Sequence, residues 1–193
     1  ISENVAFGQK SLPSYPGDTI VSMLPMAHMY GMMFELIYPI CGGSTVYYLG
    51  KTPTPALLLG AMAQIKPYLV ITVPLVMEKI FKSKVAPVIN KPVMKVICKI
   101  PGLNQVIFKK IRTTLLNAFG GNIREIVMGG AALNPEVVKG LRDLGIFIVN
   151  GYGITECGPL VSMNTETVKE VYSIGKACPK LSVKIDKPDE NGV

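Results

Sequence analysis

Six consecutive residues, Gly151-Tyr152-Gly153-Ile154-Thr155-Glu156, bring an aromatic ring, a hydroxyl and a carboxylate into one short stretch. A purine needs a flat apolar face, phosphate needs hydrogen-bond donors, and magnesium needs hard oxygen ligands; Tyr152, Thr155 and Glu156 supply one of each. The glycines let backbone approach a ligand closely. Taken alone, the same run reads equally as a tight turn ahead of a helix started by Thr and Glu. Two other stretches rich in small residues, Pro25-Met26-Ala27-His28 and Gly129-Gly130-Ala131-Ala132, follow apolar runs. His28 reads either as a helix-start residue or as a polar group at a pocket. The patterns GxxxxGK[ST], GxGxxG and GxSxG are absent, which argues against a P-loop, a dinucleotide fingerprint and an ordinary α/β-hydrolase elbow.

These stretches need a scaffold. Apolar strand candidates lie at 19–24, 44–49, 68–73, 123–128 and 146–150, and helix candidates at 28–38, 55–66, 75–84 and 105–119. Pro39 is expected to stop the first helix. A further helix is capped by Asn134, starts on Pro135 and is closed by Gly145. Alternation of strand and helix predicts an α/β fold, a mostly parallel sheet with flanking helices, whose ligands bind at the carboxyl ends of the strands. After Tyr152 the pattern changes to short polar strands and turns. The expected organisation is an α/β unit over 1–172 and the start of a small β subdomain over 173–193.

Composition narrows the class. Apolar residues make up 49% of the 193, with a mean hydropathy of +0.37. That suits parallel strands covered on both faces, or a piece whose faces pack on further chain. No run reaches the length of a membrane-crossing helix; the closest, 29–41, is interrupted by Glu35 and Pro39. Residues 1–10 do not read as an export signal, and the chain does not begin with Met. Cys41, Cys98, Cys157 and Cys178 form no CxxC pair, and His28 is the single histidine, so a zinc site is not supported. Scattered cysteines point to a reducing, cytoplasmic setting.

The net charge of +7 is local. Nine bases and no acid lie between 79 and 112: Lys79, Lys82, Lys84, Lys91, Lys95, Lys99, Lys109, Lys110 and Arg112. They read as solvated helix faces or as peripheral contact with an anionic membrane; Val93, Val96, Ile97 and Ile100 are then candidates to enter the headgroups. Nucleic acid is not expected, because aromatics do not interleave with the bases. Five of the ten methionines, Met23, Met26, Met29, Met32 and Met33, cluster near His28, as plain core or as an adaptable apolar tunnel.

Asn150-Gly151-Tyr152-Gly153-Ile154-Thr155-Glu156 resembles the signature of the adenylate-forming superfamily, which includes acyl-CoA synthetases, luciferases and peptide-synthetase adenylation domains. Leu24-Pro25-Met26-Ala27-His28-Met29-Tyr30-Gly31 resembles its acyl-pocket loop. Gly129-Gly130-Ala131, followed by Pro135, resembles its second nucleotide loop, and Ile174-Gly175-Lys176 the segment beyond. The likeness is greatest to long-chain fatty acyl-CoA synthetases and covers nearly the whole chain. Pro179-Lys180 stands where the family usually has Pro-Gly.

The resemblance implies ATP, AMP, magnesium and coenzyme A as ligands, with a fatty or other carboxylic acid as substrate. It implies that Tyr152 stacks on adenine, with Gly129, Gly130, Ala131, Asn150, Gly151 and Gly153 also at the nucleotide. Thr155 would bond phosphate and Glu156 hold magnesium. His28, Met29, Tyr30, Gly31 and Gly153 would border the acid. The family's Ser/Thr/Gly-rich phosphate loop and its carboxy-terminal catalytic lysine are not in these 193 residues, so the isolated chain is expected to be an inactive piece of the large domain. Two other readings are an adenylation domain that loads an amino or aryl acid onto a carrier protein, and a non-catalytic module for acyl binding or membrane docking.

Overall fold

A computed structural model of the chain describes residues 1–89, 103–164, 173–184, 187 and 190. Seven strands form one sheet: β1 (Thr19–Ser22), β2 (Thr45–Tyr48), β3 (Leu69–Thr72), β4 (Glu125–Met128), β5 (Val149–Gly153), β6 (Leu160–Met163) and β7 (Lys176–Ala177). Their order is β2-β1-β3-β4-β5-β6-β7. The pairs from β2 through β5 are parallel; β5 with β6 and β6 with β7 are antiparallel.

β3 shows why the chain folds this way. All four of its residues are buried, as expected of a parallel strand covered on both faces. Leu69 and Ile71 join a core layer with Ile20, Met33, Phe34, Tyr38, Val127 and Val149. Val70 turns to the opposite layer, with Val21, Leu58, Met62, Met77, Ile126 and Leu141. The period of two splits each strand between two cores.

Helix α1 (Ser2–Ser11) precedes β1, and α4 (Pro55–Ile65) joins β2 to β3. The Thr54 hydroxyl caps α4 by accepting the Leu57 N–H, and Lys66 ends it with φ at 54°. After β3 come α5 (Pro74–Ile80), a widened turn (Phe81–Val85) and α6 (Ala86–Ile89). Helix α7 (Leu103–Ala118) buries Ile111 and Leu115, and α8 (Pro135–Asp143) is capped by Asn134, whose side chain accepts the N–H groups of Glu136 and Val137. No described helix is long and apolar enough to cross a membrane.

The structure corrects the element expectations in several places. The helix expected to stop at Pro39 runs on to Cys41, as α2 (Met29–Gly31), a π-helical stretch (Met32–Ile37) and α3 (Tyr38–Cys41). In an α-helical register the Pro39 ring would strike the Glu35 carbonyl. Here the Tyr38 N–H bonds the Met33 carbonyl, one residue further back, and the wider turn admits the ring. The last expected strand of the unit, 146–150, is displaced to Val149–Gly153. The Gly-Tyr-Gly run is therefore strand, not loop. Gly153 permits it, since a Cβ there would lie 2.0 Å from the Pro159 carbonyl oxygen. The segment after Tyr152, expected to be polar, includes β6, whose Leu160, Ser162 and Met163 are buried. Lys91, Lys95, Lys99, Cys98, Val93, Val96, Ile97 and Ile100 lie outside the described residues.

Candidate active site

The carboxyl ends of β1, β3 and β4 face one edge, and β5 carries its glycines there. His28, Met29, Tyr30, Gly129, Gly130, Gly151, Tyr152, Gly153 and Thr155 line one cavity of about 170 Å³. Its inner wall is apolar, running past Phe34, Ile71 and Val127 to Leu69, Leu12 and Tyr38. On the other side of Tyr152 lies a groove of about 410 Å³, bordered by Gly130, Ala131, Asn150, Gly151, Gly153 and Ile174. The Tyr152 side chain, 45% exposed, stands between the two.

Each loop is held by short-range chemistry. The His28 Nδ1 accepts the Tyr30 N–H at 3.1 Å, capping α2, and the His28 N–H donates to the Pro25 carbonyl at 3.0 Å. An accepting Nδ1 places the proton of a neutral imidazole on Nε2, where it is a donor for a ligand oxygen. His28 therefore caps α2 and lines the cavity at once, and the cap orients its ring. The Tyr30 hydroxyl donates to the Thr72 carbonyl at 3.2 Å, tying this loop to the end of β3. Burial first, then the Glu35 charge, push the Tyr30 hydroxyl above the usual tyrosine range. Tyr30 also meets Phe34 edge-on, with ring centroids 5.8 Å apart. A Cβ on Gly129 would stand 3.1 Å from the Gly151 carbonyl oxygen and 3.3 Å from Cζ of Tyr30, so glycine leaves the three segments close together without crowding.

Other expected residues are placed differently. Gly31 is buried and lines neither space; a Cβ there would sit 2.5 Å from the Pro25 carbonyl oxygen, so its part is to admit that backbone. Of the five clustered methionines only Met29 reaches the cavity wall, while Met23 and Met33 lie in opposite core layers. Glu156 is exposed in a 3-10 turn (Thr155–Cys157) and borders neither space. Among the described residues no three of His, Cys, Asp and Glu come together as a metal cluster. Magnesium is bound through one or two carboxylates together with substrate phosphates, so a lone exposed carboxylate such as Glu156 is compatible with that ion.

Sequence reasoning missed three side chains. Asn164 Oδ1 accepts the Asn150 N–H, and the Asn164 N–H donates to the Asn150 carbonyl at 3.0 Å. Asn4 on α1 grips the backbone of Leu160. Glu35, noted only as a break in an apolar run, is fully buried, and its Oε2 accepts from Ser22 Oγ, the Met23 N–H and the Leu24 N–H. An acid inside an apolar helix was the one available signal, for Glu35.

The segments at His28, Gly129 and Tyr152 thus line one apolar-walled cavity of a mostly parallel sheet flanked by helices. A family model described as AMP-binding enzyme matches residues 2–193, and the chain belongs to that family. It is 28% identical over 195 residues to long-chain-fatty-acid–CoA ligase 2 of Schizosaccharomyces pombe, covering 89% of this chain and 28% of that protein. Long-chain-fatty-acid–CoA ligase 1 of Saccharomyces cerevisiae is also 28% identical over 195 residues, covering 91% of this chain and 27% of its own length. The chain thus spans under a third of these relatives. Among solved structures, the anthranilate CoA ligase AuaEII in complex with anthranoyl-AMP superposes with a TM-score of 0.69 at 16% identity, over 99% of this chain and 31% of that one.

Proposed function

We propose that this chain is the acid- and nucleotide-binding part of an ATP-dependent long-chain fatty acid–CoA ligase. The observation that carries the reading is that Tyr152 borders both an apolar-walled cavity and a second, larger groove. The fatty chain lies in the cavity against Phe34, Ile71 and Leu69, with its carboxylate at the mouth near the Nε2–H of His28 and the backbone of Gly153. Adenine lies in the groove against Tyr152, bordered by Gly130, Ala131 and Asn150. The carboxylate attacks the α-phosphorus of ATP, pyrophosphate leaves, and the acyl-adenylate then passes its acyl group to the thiol of coenzyme A. The chain's contribution is alignment of the two reactants and charge neutralisation. Thr155 donates to phosphate and Glu156 is the protein's ligand for magnesium, which when bound would offset the charge that develops on the phosphates.

The relatives' names support fatty acid as the substrate, and so does the apolar wall. The division near residue 173 belongs to the same proposal, as does inactivity of the isolated chain. So does peripheral membrane contact: Lys79, Lys82 and Lys84 are exposed beyond β3, and binding to anionic vesicles that weakens with salt would check it. The central test is fatty-acid-dependent exchange of labelled pyrophosphate into ATP by the full-length protein that carries this chain.

A further inference from the structure

Met23 and Leu24 follow the last residue of β1, where the ladder to β2 ends with the Leu49 N–H on the Ser22 carbonyl. Their own N–H groups point to one oxygen, Oε2 of Glu35, at 3.0 and 2.8 Å, and the Ser22 hydroxyl joins at 3.0 Å. Glu35 comes from the π-helical stretch, so one carboxylate ties both ends of the segment that carries His28 and Tyr30. The same segment is closed further inside, where Gly31 lies against the Pro25 carbonyl and the His28 N–H donates to that same oxygen.

A carboxylate is an expensive choice for this place. Glu35 is 0% exposed, Oε1 has no hydrogen-bond partner, and among the described residues no ion pair to it is found. The polar groups that face it are the Ser22 hydroxyl and two N–H groups from the β1 side, and Tyr30 from its own helix. A neutral amide would satisfy the same N–H donors. A carboxylate adds strength, because hydrogen bonds to an ionised acceptor are roughly twice as strong as neutral ones.

We propose that Glu35 is a positioning residue of the acid site, whose buried carboxylate sets the His28–Tyr30 segment against the mouth of the cavity. This rests on the acyl-activating reading above. Burial pushes the carboxyl up to about 7 against the pull of its three hydrogen bonds, so its charge changes near neutral pH. The ionised form makes the stronger hydrogen bonds to these donors, at a desolvation cost that outweighs them in the fold as a whole.

Two variants of the full-length protein test this, in fatty-acid-dependent pyrophosphate exchange and in thermal unfolding. Glu35→Ala strips the acceptor from two N–H groups; KM for the fatty acid should rise on the order of tenfold while KM for ATP stays within about twofold. Glu35→Gln keeps an acceptor but no charge; it should fold, and the rise in kcat/KM for the acid as pH climbs through about 7 should disappear. Equal rises in both KM values for Glu35→Ala, or superimposable pH profiles for wild type and Glu35→Gln, would overturn the proposal. Absence of acid-dependent exchange in the wild type would instead overturn the functional reading, and the role of Glu35 with it.

Discussion

Asn4 and Leu160 stand 156 positions apart and exchange two hydrogen bonds: the Asn4 Nδ2 donates to the Leu160 carbonyl at 3.3 Å, and its Oδ1 accepts the Leu160 N–H at 2.8 Å. The pair latches α1 to the start of β6, and β6 pairs with the strand that carries Tyr152. Asn4→Ala leaves two buried backbone groups without partners. We expect about 1–3 kcal/mol of destabilisation in denaturant unfolding of the full-length protein. An unchanged midpoint and slope would count against the latch.

Tyr152 offers an exposed ring between two spaces. Tyr152→Ala should weaken ATP binding by roughly 10- to 100-fold, the usual worth of an aromatic stacked on a base, whereas Tyr152→Phe should stay close to wild type. Calorimetric titration with ATP distinguishes the two. Equal losses in both variants would assign the effect to the hydroxyl and remove stacking from the account.

Glu35 also makes a prediction about folding. Its pKa is raised from 4.5 to about 7 by burial, so between those values the folded protein holds more proton than the unfolded chain. Its contribution to stability is therefore greatest below about pH 4.5, falls as pH rises, and is fully lost above about pH 7. The shift corresponds to about 3 kcal/mol. The stability of wild type relative to Glu35→Gln should fall by up to that amount between pH 5 and pH 8, measured by urea unfolding at each pH. A difference independent of pH would show that the fold does not raise this carboxyl above its unfolded value.

The legible and illegible parts of this molecule separate by the range of the forces involved. Leu69-Val70-Ile71-Thr72 could be read as a buried strand because β-branched and apolar residues in a short run have few other uses. Asn134 and Pro135 announced their helix because capping is local. The helix through Pro39 could not be read, since the π register that admits the ring is stabilised from outside, by core contacts of Met33, Phe34 and Tyr38. Gly151 and Gly153 suggested a turn, and only the approach of the Pro159 backbone, just before β6, shows why a glycine stands at 153 in a strand. Of the candidate site, His28, Tyr30, Gly129 and Tyr152 were visible from motif order. Glu35, Asn4 and Asn164 were not, because what they do depends on partners that sequence spacing does not reveal.

Acyl-adenylate formation at this site is tested most directly by exchange of labelled pyrophosphate into ATP, measured for the full-length protein and for its Glu156→Gln variant. The wild type should exchange only when a fatty acid is present. Glu156→Gln should fold normally and exchange on the order of 10²-fold more slowly or worse, with an altered magnesium requirement, because a charged ligand to the ion has been lost. Exchange at the wild-type rate with the same magnesium dependence would contradict the assignment of Glu156, and exchange indifferent to fatty acid would contradict the assignment of the cavity.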